Sequence, residues 1–206
     1  LHKRIALATI RIIGTSRQKI MLGFMIATGF LSMWTSNNST TLMMLPIGLA
    51  ILDREQKLGS DVSRFAPGLM LSIAYSASIG GVGTLVGTPP NLVFVSTLKE
   101  IFPDSPDILF LDWLKIGIPF VLLFLPITWF YLIKFFKVSG DLQGSSDVIE
   151  KEYSLLGPMS IAEKKVSVIV LLYAFGFIFR NWWAEMIGVS GFAKDSTVAI
   201  FASLLL

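Results

Sequence analysis

Two strongly apolar stretches of this sequence are each interrupted by residues that do not suit a helix in lipid. The first interruption, residues 34–46, reads WTSNNSTTLMMLP, and its residues 35–41 all carry uncharged hydroxyl or amide side chains. The second, residues 80–91, reads GGVGTLVGTPPN, where glycine is entropically costly in a helix and proline removes a backbone donor. What these interruptions mean depends on whether the flanking stretches lie in a membrane.

Composition answers that question. The chain is 53% hydrophobic and only 15% charged, with a mean hydropathy of +0.71, whereas a soluble domain is about 25% charged. Residues 121–136 have no obvious polar face, which is typical of a segment in contact with lipid. The sequence therefore predicts an all-α polytopic membrane protein. Non-helical backbone at membrane depth is tolerated only where protein or a water-filled cavity surrounds it.

The residue inventory excludes several kinds of chemistry. The chain has no cysteine and one histidine, His2, which leaves no disulfide framework and no thiolate metal site. We find no nucleophile–base pair and no metal cluster in the sequence, so we expect a protein that is not an enzyme and does not bind nucleic acid.

The first interrupted stretch has two apolar arms that are too short to span a bilayer. Residues 20–34 and 42–52 reach about 22 Å and about 16 Å as helices, short of the roughly 30 Å hydrocarbon core. They are either the halves of one interrupted spanning helix or the arms of a re-entrant hairpin.

The placement of lysine and arginine decides between these two possibilities. Basic residues are concentrated in segments 1–19 and 53–65 and around the connector 138–165, whereas segment 99–115 sets two lysines against four acidic residues. The positive-inside rule places the first three segments in the cytoplasm and the fourth outside. The first interrupted stretch then enters and leaves from the cytoplasm as a re-entrant hairpin, and the second crosses the membrane as a discontinuous helix.

These assignments predict a sequence of segments. In chain order they are a cytoplasmic or interfacial basic segment (1–19), a re-entrant hairpin (20–52) with its tip at 35–41, a cytoplasmic loop (53–65), a broken transmembrane helix (66–101), an external loop (102–112), a transmembrane helix (113–137), a cytoplasmic connector (138–165), a transmembrane helix (166–187) and the start of a further one (197–206). The chain begins with leucine and ends in a hydrophobic run, so we expect it to be a piece of a longer membrane protein.

Two interrupted membrane segments in succession are typical of the binding site of a secondary transporter. Carbonyl, hydroxyl and amide oxygens suit a hard cation such as Na⁺, and free amides at a helix N-terminus suit a carboxylate, sulfate or phosphate. Residues 20–52 and 65–98 contain no Asp, Glu, Lys or Arg, although a proton relay normally needs an intramembrane carboxylate or histidine. The residues alone therefore predict an ion-coupled anion carrier.

Three motifs carry a resemblance to a known family. Residues 34–46 (WTSNNSTTLMMLP), 80–91 (GGVGTLVGTPPN) and 156–165 (LGPMSIAEKK) resemble the divalent anion/sodium symporter family, the sodium-coupled di- and tricarboxylate and sulfate transporters. The resemblance covers essentially the whole chain. It implies an inverted-repeat transporter that works as a homodimer in the plasma membrane or bacterial inner membrane, of which this chain is most of the first repeat.

The resemblance also implies site residues and ligands. Na⁺ is the implied coupling ion, and the implied substrate is a dicarboxylate such as succinate or malate, with citrate and sulfate as alternatives. The residues implied for the first sodium site are Ser32, Ser36, Asn37 and the carbonyl of Gly87, and those implied to face the substrate carboxylate are Asn37, Asn38, Thr88 and Pro89. Asn38 stands where the family has threonine, which leaves the identity of the anion open. The family's second hairpin and second sodium site are not expected in this chain.

Other interpretations of the same residues remain open. Ser32 could bond to its own helix, Gly80 and Gly81 could serve close helix packing, and the glycine spacing also touches the dinucleotide-binding fingerprint, although no alternation of strands and helices surrounds it. An anion exchanger on the same fold would need no net sodium coupling. A channel or structural membrane subunit is a further alternative.

Overall fold

The computed structural model describes residues 2–14, 16–141, 150–151, 153–188 and the single positions 197, 200 and 204. These residues are helical or lie in turns and loops, apart from an isolated β-bridge between Ser16 and Asp141. The predicted all-α class is therefore confirmed. The helices are α1 (His2–Ile13), α2 (Arg17–Ser32), α3 (Asn37–Lys57), α4 (Phe65–Val82), α5 (Pro89–Ile101), α6 (Phe110–Phe136), α7 (Ile161–Ile178) and α8 (Arg180–Ile187).

Helices α2 and α3 form a helical hairpin whose turn is shorter than the polar stretch of the sequence. The turn occupies residues 33–36, and the remaining polar residues of the predicted tip belong to the start of α3. Ser36 caps α3 by accepting a hydrogen bond from the Ser39 amide at 3.3 Å. The hydroxyls of Thr40 and Thr41 donate to the carbonyls of Ser36 and Asn37, one turn earlier. The polar run can be helical because its own side chains satisfy one another.

Helices α4 and α5 flank the second interruption. Gly80 and Gly81 remain inside α4, and the non-helical loop covers residues 83–88. Pro89 and Pro90 occupy the first two positions of α5, where a proline costs nothing because the first amides of a helix have no partner within it. The two prolines therefore start a helix as well as ending the preceding segment.

The packing of α4 explains several of its glycines. Gly80 faces the backbone of Gly29 in α2 so closely that a Cβ atom there would overlap the Gly29 carbonyl. Gly117 of α6 lies against the carbonyls of Val82 and Gly83, and the Trp113 indole donates to the Val82 carbonyl at 2.8 Å. Helix α4 is thus in close backbone contact with α2, and its C-terminal end with α6, which fixes where the loop 83–88 begins.

Among the described helices, α4 and α6 are long and apolar enough to cross a membrane. Half of the apolar window of α4 is buried within the protein, against 22% of that of α6. The exposed residues of α6 include Leu122, Leu123, Phe130 and Tyr131. An exposed apolar face of this size is expected to contact lipid or further protein. The predicted helix 166–187 corresponds to α7 and α8, which meet at Phe179, and the predicted span 197–206 lies largely outside the described residues.

Ion pairs join the ends of the helices that lie opposite the hairpin turn. Arg17 at the start of α2 lies 3.7 Å from the carboxylate of Glu55 in α3, whose side chain is fully buried. Arg4 of α1 donates to the Gly157 carbonyl at 2.9 Å and pairs with Glu163 at 3.4 Å. Since removing one partner of a buried pair leaves an uncompensated charge, the contact between Arg17 and Glu55 fixes the open end of the hairpin.

Candidate functional site

The end of α2, the start of α3, helix α4 and the loop 83–88 meet around the buried residue Ser32. The Ser32 hydroxyl lies 2.7 Å from the side-chain oxygen of Asn37 and 2.7 Å from the carbonyl oxygen of Ala77 in α4. Both neighbours are acceptors, and a hydroxyl has only one proton to donate. The two contacts therefore bring a hydroxyl, a side-chain amide and a backbone carbonyl together in the protein interior.

Two glycines allow this junction to close. The Asn37 amide packs so closely on Gly81 that a Cβ atom at residue 81 would overlap the side-chain oxygen of Asn37. A Cβ atom at Gly87 would lie 2.5 Å from the Gly81 carbonyl oxygen and 3.1 Å from the Ser32 carbonyl oxygen. The carbonyl oxygens of residues 32 and 81 therefore crowd around Gly87, next to the Asn37 amide.

We call the group formed by Ser32, Asn37, Gly81 and Gly87 the oxygen junction. Its oxygens come from a hydroxyl, a side-chain amide and backbone carbonyls, and the flanking segments 20–52 and 65–98 carry no charged residue. Uncharged oxygen ligands at the ends of interrupted helices fit a monovalent cation such as Na⁺. The arrangement brings together Ser32, Asn37 and Gly87 of the predicted sodium set.

Ser36, the fourth residue of that set, lies at the exposed surface of the turn. Its hydroxyl donates to the Ser39 hydroxyl at 2.8 Å and caps α3. Ser36 therefore caps α3. It precedes Asn37 in the chain and so lies next to the oxygen junction.

The residues predicted to face the substrate lie at the starts of two helices. Asn37 and Asn38 begin α3, and Asn38 is exposed; Thr88 precedes α5 and is half-buried, and Pro89 begins α5 and is exposed. The positive ends of both helix dipoles are suited to an anion.

The two helix starts differ in the donors that they offer. Pro89 and Pro90 have no backbone N–H, and the Asn91 amide already donates to the Thr88 carbonyl at 3.1 Å. Hydrogen-bond donors to an anion must therefore come from the start of α3 and from Thr88. Pro89 can contribute shape but no hydrogen bond.

The sequence motifs did not indicate two residues that hold the loop 83–88. The fully buried Thr84 donates its hydroxyl to the Met33 carbonyl, which joins the loop to the hairpin turn. Asn91 donates to the carbonyls of Gly81 and Thr84. Both residues lie within the motif 80–91. A polar side chain next to glycine or proline in this apolar stretch is the sequence feature that could have identified them.

Aromatic packing anchors the hairpin turn. The Trp34 ring lies 6.4 Å from that of Phe110 and 6.5 Å from that of Tyr173, and Phe110 stacks at a tilt on Phe177 at 4.8 Å. Such ring pairs each add about 0.5–1.5 kcal/mol beyond the area that they bury. They fix the turn against α6 and α7, so that the oxygen junction is supported from its outer side.

Comparison with known sequences identifies the family. The sequence matches the family model for the citrate transporter over residues 1–206, which is the whole chain. The chain belongs to the citrate transporter family.

The curated relatives of this chain carry names that refer to sodium and to dicarboxylates. A sodium-dependent dicarboxylate transporter, SdcS, from Staphylococcus saprophyticus is 40% identical over the whole chain, and SdcS from Staphylococcus aureus strain NCTC 8325 is 39% identical. In both cases the match covers 41% of the relative, so the chain spans about two fifths of the length of these relatives.

Membership of the citrate transporter family confirms the resemblance that the three motifs carry. Together with the apolar helices, it identifies the chain as part of an integral, multi-pass membrane protein. The relatives are named as transporters, which agrees with the prediction that the chain is not an enzyme.

Proposed function

We propose that the protein to which this chain belongs is a secondary transporter that couples Na⁺ to the movement of a dicarboxylate. The observation that carries the proposal is the oxygen junction, where buried uncharged oxygens of Ser32, Asn37 and the glycine backbone meet between two interrupted segments. The relatives named sodium-dependent dicarboxylate transporters support the same coupling ion and substrate class.

In this proposal Na⁺ binds at the oxygen junction. Ser32 and Asn37 offer side-chain oxygens, and Ser36 holds the turn that presents Asn37. We assign the remaining oxygen to the carbonyl of Gly87, which the Ser32 and Gly81 backbones surround. Bound Na⁺ supplies a positive charge beside the substrate. The chain holds the hydroxyl and carbonyl oxygens at fixed spacing. No charged side chain occurs in the flanking segments 20–52 and 65–98, so that the binding of Na⁺ remains reversible.

The substrate carboxylate binds next to the oxygen junction, between the starts of α3 and α5. Asn37 belongs to both sets and offers its oxygen to the cation and its amide hydrogens to the anion. Asn38 and Thr88 add further donors without a fixed charge, and Pro89 shapes the wall. A shared Asn37 makes the binding of the cation and the anion mutually dependent, which is the requirement for coupled transport.

We further propose that α2 and α3 form a re-entrant hairpin, that α4 and α5 form one discontinuous transmembrane helix, and that the loop 102–112 is external. The basic residues at both open ends of the hairpin support this topology. The remaining chain would supply the second repeat and a second sodium site, and the working protein would be a homodimer.

Cysteine labelling tests this topology. Asp107 lies in the proposed external loop with its side chain 77% exposed, and Lys57 lies at the proposed cytoplasmic end of α3 with its side chain 69% exposed. In a cysteine-free full-length protein, Asp107→Cys should react with an impermeant thiol reagent on intact cells. Lys57→Cys is the control and should react only after permeabilisation; the opposite pattern would overturn the topology.

Replacement of Asn38 tests whether this residue takes part in substrate recognition. Asn38→Thr exchanges an amide with two donors for a hydroxyl with one, at an exposed position beside the proposed anion site. We expect the variant to change the relative uptake of succinate, citrate and sulfate while its sodium requirement stays the same. An unchanged substrate profile would show that residue 38 does not contact the anion.

Uptake into proteoliposomes tests the function itself. The full-length protein should accumulate labelled succinate strongly when an inward sodium gradient is imposed, and weakly when potassium replaces sodium. Succinate uptake that ignores sodium but follows dicarboxylate inside the vesicles would instead identify an exchanger. The uncharged site, in which only a cation can offset the charge of the anion, favours the symporter.

A further inference from the structure

Asn91 is a buried polar residue on an otherwise exposed helix. Its side chain is only 6% exposed, and it is the residue of α5 that packs into the protein interior. The neighbouring residues Leu92, Val93 and Phe94 are exposed. A buried amide needs hydrogen-bond partners to offset the cost of its desolvation, so the contacts of Asn91 show what it holds.

Asn91 uses its amide group to join three elements. The Asn91 nitrogen donates to the Gly81 carbonyl at 2.9 Å and to the Thr84 carbonyl at 2.8 Å. Gly81 lies near the end of α4, where carbonyls lose their helical partners, and Thr84 lies in the loop. One side chain of α5 therefore replaces the hydrogen bonds that the break in the helix removes.

The Gly81 carbonyl borders the oxygen junction. Gly87 lies against the Gly81 carbonyl, and Gly81 lies against the Asn37 amide. From the other side, the Thr84 hydroxyl bonds to the Met33 carbonyl in the hairpin turn. The orientation of the Gly81 carbonyl, and with it the spacing of the junction, thus depends on Asn91.

We infer that Asn91 is a positioning residue that sets the affinity for Na⁺ at the oxygen junction. The inference rests on the proposed sodium-coupled transport. Asn91 follows Thr88 and Pro89 in the first turn of α5 and bonds to the backbone that walls the oxygen junction.

The test is a sodium titration of succinate uptake by the full-length protein in proteoliposomes. Asn91→Leu keeps nearly the same volume without any donor, and Asn91→Ala removes the side-chain amide altogether. Both should raise the sodium concentration for half-maximal uptake by at least about tenfold, while the KM for succinate at saturating sodium changes by less than about threefold. A purely structural role would lower the amount of active protein and leave both constants unchanged.

Ser96→Ala is the matched control, because Ser96 lies exposed on the same helix and its hydroxyl bonds to the Val93 carbonyl. It should behave as the wild type. If the Asn91 variants do not insert, Thr84→Val removes the hydroxyl that holds the loop from the hairpin side and should raise the sodium requirement in the same way.

The outcomes separate the two proposals. Absence of sodium dependence in the wild-type protein would refute the proposed function. Sodium-dependent wild-type uptake together with an unchanged sodium requirement in the Asn91 variants would overturn the positioning role alone. If only Thr84→Val can be measured, its unchanged sodium requirement would overturn that role as well.

Discussion

Asn37→Ala should abolish sodium-driven succinate uptake by the full-length protein. The change removes the oxygen that lies 2.7 Å from the Ser32 hydroxyl and the amide that packs on Gly81. In our account it removes a ligand of the cation and a donor to the anion together. We expect uptake to fall at least about a hundredfold, equivalent to ~2.7 kcal/mol, as measured by initial rates in proteoliposomes at fixed protein density.

The variant should still insert and fold, because the hairpin is held by the Ser36 cap and by the aromatic contacts of Trp34. Ser78→Ala is the control: Ser78 is exposed on α4 next to Ala77, and its hydroxyl bonds only to its own helix. It should retain full uptake. Wild-type uptake by Asn37→Ala would rule out the proposed site.

Gly87→Ala should produce a comparable loss through the backbone. The added methyl carbon would lie 2.5 Å from the Gly81 carbonyl oxygen, closer than non-bonded atoms allow, and 3.1 Å from the Ser32 carbonyl oxygen, a tight contact. Since these neighbours are backbone atoms, the loop must move away from the hairpin and open the oxygen junction. We expect sodium-dependent uptake to fall at least about tenfold, equivalent to ~1.4 kcal/mol, with the larger effect at low sodium.

Gly68→Ala is the matched glycine control. A Cβ atom there would lie 3.5 Å from side-chain atoms of Met21, Phe136 and Val138, an ordinary van der Waals distance. Replacing a helical glycine with alanine favours the helix by up to about 1 kcal/mol, so this variant should transport normally. If Gly87→Ala also transports normally at every sodium concentration, the close contact of the loop and the hairpin is not needed for coupling.

The sequence indicates which helices form more closely than it indicates the residues at which they begin and end. Glycine and proline indicated that the second segment is broken, and the structure places the break at residues 83–88. The glycine-rich start of that motif is helical nevertheless, because Gly80 packs on the backbone of Gly29. This contact joins two helices that are distant in sequence, so no local pattern could indicate it.

The polar stretch of the hairpin illustrates the same limit. A run of seven hydroxyl and amide residues favours a loop, yet α3 begins at Asn37 because Ser36 caps it and the Thr40 and Thr41 hydroxyls bond within it. The run contains Ser36, Asn37 and Asn38 of the candidate site. The roles of Thr84 and Asn91 required knowing which carbonyls the broken helix leaves free.

Direct binding of sodium tests the central claim most directly. Equilibrium binding of radioactive ²²Na⁺ to the purified full-length protein, with potassium as the competing ion, should be saturable in the wild type. Asn37→Ala and Gly87→Ala should each bind less sodium per protein molecule, while Gly68→Ala should bind the wild-type amount. Equal sodium binding by all four proteins would contradict the assignment of a sodium site to the junction of Ser32, Asn37, Gly81 and Gly87.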